Sequence, residues 1–434
     1  TTVFVLNDND EAGYFYNDLK TIAMPADGEG KVAEVLFFPS SYRRAVKYGQ
    51  RDAGNEILRT EVLTRLSALV SGADNALPLY IVTEPSALSE LVVSKKQLDE
   101  RRLTLTVNQH IDIVEVEKTL RSFGFTETDY VYEPGQFAVR GSIIDVYSFS
   151  NELPFRIDFF GDDIETIRNF EVETQLSTEK LTRVEIVPEL ATMSEEKVPF
   201  LQFLPKDAVL AFKDFLYVRD AIDNIYQEGF TNQALTEKLE GKTELEQHEL
   251  EVAFRKEGQL VPASRWMNDA LDFRRIEFGI NHSSSDLAKK KDGSRATINF
   301  CTSPQPLFHK NFDLLSKTLR DYLLQGYKLY IFADSEKQTI RLRDIFDSLS
   351  DTNVSPDSEN LSVAELSGEG QEATVGALPF TPVNRTLHEG FVDSTLKVCF
   401  FTDHQIFDRF HKYNLKSDKA RQGKMALTMK ELQE

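Results

Sequence analysis

The sequence predicts an α/β protein: a parallel, doubly wound sheet, a small α+β domain inserted into it, and a further small α/β domain behind it. Three observations predict this. Short apolar runs alternate with amphipathic helical stripes through residues 1–107, the pattern of strands buried on both faces and of the helices that cover them. Strand signals then crowd together over 108–188 with one helix among them, and alternation returns from about 301. At 434 residues the chain exceeds what one hydrophobic core serves, so three or four domains are expected.

Taken in order, Val3–Leu6 is an apolar run ending at Asn7-Asp8, a good cap for a helix over 10–20. Val35-Leu36-Phe37-Phe38 is a second run and stops at Pro39. Apolar residues at 58, 62, 63, 66, 69 and 70 form a helical stripe closed by Gly72, and Leu79–Val82 is the next buried strand. Within 108–188, a helix over Val114–Ser122 precedes strand-like segments at Phe137–Tyr147, Phe155–Phe160, Ile164–Phe170 and Val184–Val187. Gly161-Asp162-Asp163 reads as the hairpin turn between the second and third of these. Residues 189–300 are helix-rich and complete the first domain, with a charged, solvated stretch at Thr231–Val252. The last domain, 301–412, has strand Lys328–Phe332, a helix from Ser335 to Leu349, a polar loop Ser350–Asn360 and strand Val398–Phe401. The basic, weakly patterned tail 413–434 reads as a linker.

Composition narrows the class of function. The chain is 41% hydrophobic and 28% charged, as globular proteins are. No run approaches the roughly 18 apolar residues of a membrane span. The opening Thr1–Leu6 lacks the basic lead of a signal peptide. With no initiator Met and a helix-like close at Ala426–Leu432, a piece of a longer, cytoplasmic chain is expected. Cys301 and Cys399 form no C-x-x-C pair and are expected as buried free thiols. The net charge of −20, from 50 basic against 70 acidic residues, disfavours a main task of gripping nucleic acid and favours a protein partner.

Motifs for chemistry are absent or broken. Gly241-Lys242-Thr243 resembles the end of a phosphate-binding loop, but Thr236 stands where the first glycine belongs and glutamates surround it. Asp403-His404 ends a strand as a magnesium-holding helicase strand does, yet without a phosphate loop Asp403 reads better as the cap of a helix over Gln405–Lys412. The seven histidines include no H-E-x-x-H; His404 and His411 are a weakly spaced pair. No nucleophile signature occurs. Neither catalysis nor a metal or cofactor is expected.

The most informative segment is Phe155-Arg156-Ile157-Asp158-Phe159-Phe160. Side chains alternate along a strand, so burying Phe155, Ile157 and Phe159 turns Arg156, Asp158 and Phe160 outward. Arginine and phenylalanine are enriched among interface anchors. Equally, Arg156 could pair with Asp158 or a neighbouring strand while Phe160 closes the hairpin corner. The residues alone leave both readings open.

A longer pattern embraces this segment: Arg140-Gly141, the aliphatics Ile143-Ile144, Asp145, a spacer ending in Pro154, then Arg156 to Phe160, Gly161-Asp162-Asp163-Ile164 and Arg168. It resembles the UvrB-homology region, and Val35–Pro39 with the helix carrying Glu61, Leu63 and Leu66 fits the part upstream. The resemblance covers about residues 1–300. Two families carry it, UvrB itself and the transcription-repair coupling factors (Mfd). UvrB has a tyrosine-rich hairpin after its F-F-P segment and an intact phosphate loop; here Tyr48–Gly54 runs straight into a helix and no such loop is present. The chain is therefore identified as similar to the N-terminal part of the coupling factors. That resemblance implies a degenerate helicase-like (P-loop NTPase-type) domain interrupted by the insert. It also implies a non-catalytic module that binds UvrA through Arg140, Arg156 and Phe160, with Arg168 as neighbour. The family's ATP- and magnesium-dependent motor, its contacts with RNA polymerase and DNA, and a C-terminal domain that masks the docking face would lie outside this chain. The rival reading is an ATP-dependent helicase or nuclease subunit of the UvrB type acting directly on damaged DNA.

Overall fold

The computed structural model describes residues 1–25, 32–41, 52–70, 77–190, 196–228, 243, 259–279, 296–352, 380–413 and 415. They belong to two compact units, Thr1–Tyr16 with Pro25–Ser284 and Asn414–Glu434, and Asn17–Met24 with Ser285–Tyr413. The Gly241-Lys242 motif, the Thr231–Val252 stretch (Thr243 apart), most of the 350–360 loop, residues 42–51 after the F-F-P segment and nearly all of the 413–434 tail lie outside the described residues.

The chain opens with β1 (Thr2–Val5), α1 (Asn9–Ile22), β2 (Glu34–Phe38), α2 (Ala53–Val70) and β3 (Leu79–Thr83). Asp8 starts α1 as the sequence predicts: its Oδ1 accepts from the backbone N–H groups of Asp10 and Glu11, both at 2.9 Å. Short helices α3 (Pro85–Ser89) and α4 (Lys95–Glu100) flank β4 (Leu91–Val93). The buried Glu84 caps α3 by accepting from Ser86 and Ala87.

The next region is an antiparallel layer. After β5 (Leu103–Thr106) and α5 (Ile113–Ser122) come β6 (Thr126–Glu127), β7 (Gln136–Arg140), β8 (Ile143–Val146), β9 (Phe155–Phe160), β10 (Asp163–Phe170), β11 (Ser177–Leu181) and β12 (Arg183–Ile186). Strands β6 to β11 form a six-stranded sheet in sequence order, antiparallel except for β6 beside β7. Strand β5 pairs with β12 as a separate ribbon. One correction concerns Phe137–Tyr147, which the sequence presents as a single strand. It is a hairpin, turned at Gly141-Ser142, where Gly141 has φ +63°, a conformation open to glycine at little cost. The second turn, Gly161-Asp162, falls where the sequence puts it, again with glycine at φ +63°.

The inner face of this sheet buries Phe137, Ile144, Val146, Phe155, Ile157 and Phe159 against Val116 and Leu120 of α5. At roughly 1.5–3 kcal/mol for each fully buried large apolar side chain, this face holds β7–β10 in register. The outer face therefore carries Arg156, Asp158 and Phe160.

The chain then returns to the first sheet through β13 (Lys197–Pro199), β14 (Val209–Phe212), α6 (Phe215–Glu228), α7 (Ala263–Ala270) and β15 (Arg274–Glu277). Strands β15-β14-β1-β3-β2 lie side by side, all parallel. The second unit has β16 (Thr302–Pro304), α8 (Phe312–Leu324), β17 (Lys328–Phe332), α9 (Glu336–Thr352), β18 (Thr381–Val383), β19 (Phe391–Asp393), β20 (Val398–Thr402) and α10 (Asp403–Ile406). Its mixed sheet runs β16-β19-β20-β17-β18. The α/β class predicted from alternation is the class observed, with parallel and antiparallel sheets together.

Two further details in the second unit depart from expectation. Asp403 is not a cap; it lies fully buried within the short α10 and pairs with Arg409, and the helix ends at Ile406. Cys399 is buried, and burial pushes its thiol up to about 12, but Cys301 is exposed because it sits just outside the edge strand β16. The His404 and His411 rings stack 4.7 Å apart, and His404 Nε2 lies 2.9 Å from the His388 carbonyl.

Candidate protein-docking face

The site is built from the register of four strands, β7 to β10. Asp145 on β8 stands opposite Arg156 on β9, which stands opposite Arg168 on β10. Arg140, the last residue of β7, is diagonal to Asp145, within the reach of a long side chain. Folding thus brings Arg140 beside Arg156 although they lie on different strands.

Asp145 is the hub. Its side chain is 0% exposed and receives two guanidinium groups. Arg156 binds it as a fork, Nε donating to Oδ1 at 2.7 Å and Nη2 to Oδ2 at 2.8 Å. Arg140 Nη2 donates to the same Oδ2. A buried, unpaired carboxylate would be costly, and two charged donors meet that cost. The hydrogen bonds it donates to Asp145 hold the Arg156 guanidinium above the usual arginine range, against its own burial. Arg156 also lies over the Phe170 ring, 4.6 Å from its centre, and Arg140 over Tyr130 at 5.1 Å. Next along the face, Arg168 donates to Asp158, which also accepts from Thr166 Oγ1. Three guanidiniums thus meet two carboxylates in this row, and the Asp145 cluster itself holds one positive charge in excess.

Phe160 ends this row and is 77% exposed. Beside it His110 Nδ1 lies 3.0 Å from Asp163 Oδ1, and that hydrogen bond raises the histidine's pKa. Of the two readings left open by the sequence, each takes part. Arg156 does pair with a neighbouring strand, through Asp145 and not Asp158. Phe160 is not packed into the hairpin corner; its ring faces solvent. The alternation along β9 by itself points to neither Asp145 nor Tyr130. The signal for Asp145 was present: a charge inside Ile143-Ile144-Asp145-Val146 must find a partner if its strand is buried. No comparable signal existed for Tyr130.

Among the described residues no group of three or more His, Cys, Asp or Glu side chains is placed to hold a metal ion, and no helix is long and apolar enough to cross a membrane.

A mainly antiparallel sheet thus turns toward solvent a row of clamped arginines that ends in an exposed phenylalanine. Residues 103–191 match the UvrB interaction domain family, from β5 to just past the ribbon strand β12. The chain is also similar to transcription-repair-coupling factors. That of Borreliella burgdorferi is 26% identical over 298 residues, which is 64% of this chain and 26% of that protein. That of Staphylococcus aureus is 23% identical over 410 residues, 84% of this chain and 33% of the relative. That of Haemophilus influenzae is 29% identical over 127 residues, 29% of this chain and 11% of the relative. The chain spans a third or less of the length of these relatives.

Proposed function

We propose that this chain is a docking module that binds UvrA, and so brings excision repair to RNA polymerase stalled at DNA damage. The observation that carries the reading is the outer face of β7–β10, where Arg140 and Arg156 are fixed on one buried carboxylate and Phe160 stands 77% exposed at the end of the row. Preorganised guanidiniums and an exposed ring give an interface anchor points that lose little entropy on binding. Arg168 belongs to the same row through Asp158. The parallel domain is read as a degenerate helicase-like (P-loop NTPase-type) scaffold with no catalytic role. Hydrolysis of ATP with magnesium, contact with polymerase and DNA, and masking of this face by a C-terminal domain are assigned to the rest of a cytoplasmic protein.

The test is titration of the purified chain with UvrA. Wild type binds, and replacing both anchors (Arg156→Ala with Phe160→Ala) weakens binding by roughly 2–4 kcal/mol. Unchanged affinity in the double variant sinks the site assignment. Nucleotide hydrolysis by the chain alone would favour the helicase reading instead.

A further inference from the structure

The three arginines of this face are not equivalent. Arg140 spends one donor on Asp145 and keeps 36% of its side chain exposed. Arg156 is only 16% exposed, and three of its five N–H donors point into the protein. The third of these, on Nη1, goes to the backbone carbonyl of Gln175 at 3.2 Å. Gln175 sits in the turn between β10 and β11 and has φ +59°, a left-handed conformation that a non-glycine residue adopts only where its surroundings enforce it. The enforcement is visible. Gln175 N–H donates to Glu171 O at 2.8 Å, its side-chain Nε2 to Val172 O at 2.8 Å, and Glu171 N–H to Leu176 O at 3.0 Å. The residue this turn presents is Leu176, which is 67% exposed.

Phe160 pairs with Asp163 at one end of β10, and Phe170, at the other end, pairs with Ser177 beside Leu176. Along the eight residues of β10 at ~3.3 Å each, the two exposed apolar side chains stand roughly 20 Å apart. That span suits one face of a standard interface, about 800 Å² per partner.

We infer that the docking face extends beyond Phe160 to a second apolar contact, Leu176 of the β10–β11 turn, with Arg140 on the β7 side of the sheet as the contact for an acidic side chain of the partner. Arg156, besides its place in the row, braces both contacts: it holds Asp145 for Arg140 and the Gln175 carbonyl for Leu176. The partner is a protein surface that offers apolar sockets to Phe160 and Leu176 and a carboxylate to Arg140, matching the two guanidiniums that share the single charge of Asp145. This rests on the proposed function and extends the contact surface to a turn outside the strands that first suggested it.

The experiment is titration of UvrA with the wild-type chain and with Phe160→Ala, Leu176→Ala, Leu176→Glu, Arg140→Glu and Arg156→Lys, each checked for an unchanged melting temperature where the residue is exposed. Leu176→Ala is expected to weaken binding about tenfold, close to 1.4 kcal/mol, and Leu176→Glu more. Arg156→Lys is expected to weaken binding and to shrink the effect of Leu176→Ala when the two are combined, a coupling that a general loss of fold would not produce. Binding by Leu176→Glu equal to wild type, with Phe160→Ala still weak, overturns this inference and leaves the proposed function standing. No binding by wild type overturns both. If Leu176→Glu instead changes self-association of the chain in sedimentation, the occupant is a second copy and the inference also falls.

Discussion

Two aspartates in this chain are equally buried and differently used. Asp145, in the antiparallel sheet, is gripped by two arginines whose outer edges reach the surface. Asp403, in the α/β unit of the second half, has the single arginine Arg409, and burial, aided by the nearby Asp334, raises its pKa despite that pairing. In the first case the carboxylate aims positive charge outward, next to exposed Phe160. In the second it serves the interior, beside the buried His404 and Thr402. A buried charge thus marks a recognition face only when its partners remain available to something else; burial alone does not tell the two apart.

The sharpest way to break the comparison is to neutralise each hub. Asp145→Asn leaves two guanidiniums close together without a counter-charge and should cost about 3 kcal/mol of stability, seen in denaturant unfolding, along with loss of UvrA binding. Asp403→Asn should cost about 1 kcal/mol or less, because burial already disfavours its charge. Equal costs would show that the second arginine is immaterial.

Asp403 also carries a pH dependence. A carboxyl raised in the folded state contributes stability that is present below its unfolded pKa and fades as pH rises through the folded value. Unfolding followed from the ordinary carboxylate range upward should therefore show a falling contribution that Asp403→Asn removes. A slope that survives in the variant contradicts the assignment.

Smaller effects are expected at the rim. Phe160→Ala should change stability by no more than about 0.5 kcal/mol, since the ring is exposed, while lowering affinity for the partner. His110, fully exposed, should titrate above the ordinary histidine range by NMR because of Asp163, and return to it in Asp163→Asn. Any stability from this contact is present below the unfolded histidine pKa and lost as pH rises through the folded value.

Much of this architecture was legible in the sequence for physical reasons. Helix α1 announced itself by Asp8, strand β9 by its period of two, and the hairpin by Gly161, because each signal is local. The outward direction of Arg156 and Phe160 followed from the same alternation. What stayed hidden was non-local. The Arg140–Asp145–Arg156 cluster depends on the register of three strands, and the Phe137–Tyr147 hairpin was masked by a turn of only Gly141-Ser142 inside a continuous β-like run. The Gln175 turn could not be foreseen, because glutamine gives no hint of a positive φ. Asp403 looks like a cap in the sequence but is none in the fold, because Arg409, six residues on, claims its carboxylate.

The most direct test of the central claim is the dissociation constant of UvrA with the wild-type chain and with Phe160→Ala, measured at the same salt concentration and on proteins shown to unfold alike. The account predicts measurable binding by the wild type and a loss of at least tenfold, about 1.4 kcal/mol, in the variant. Equal affinities in two equally stable proteins would contradict it.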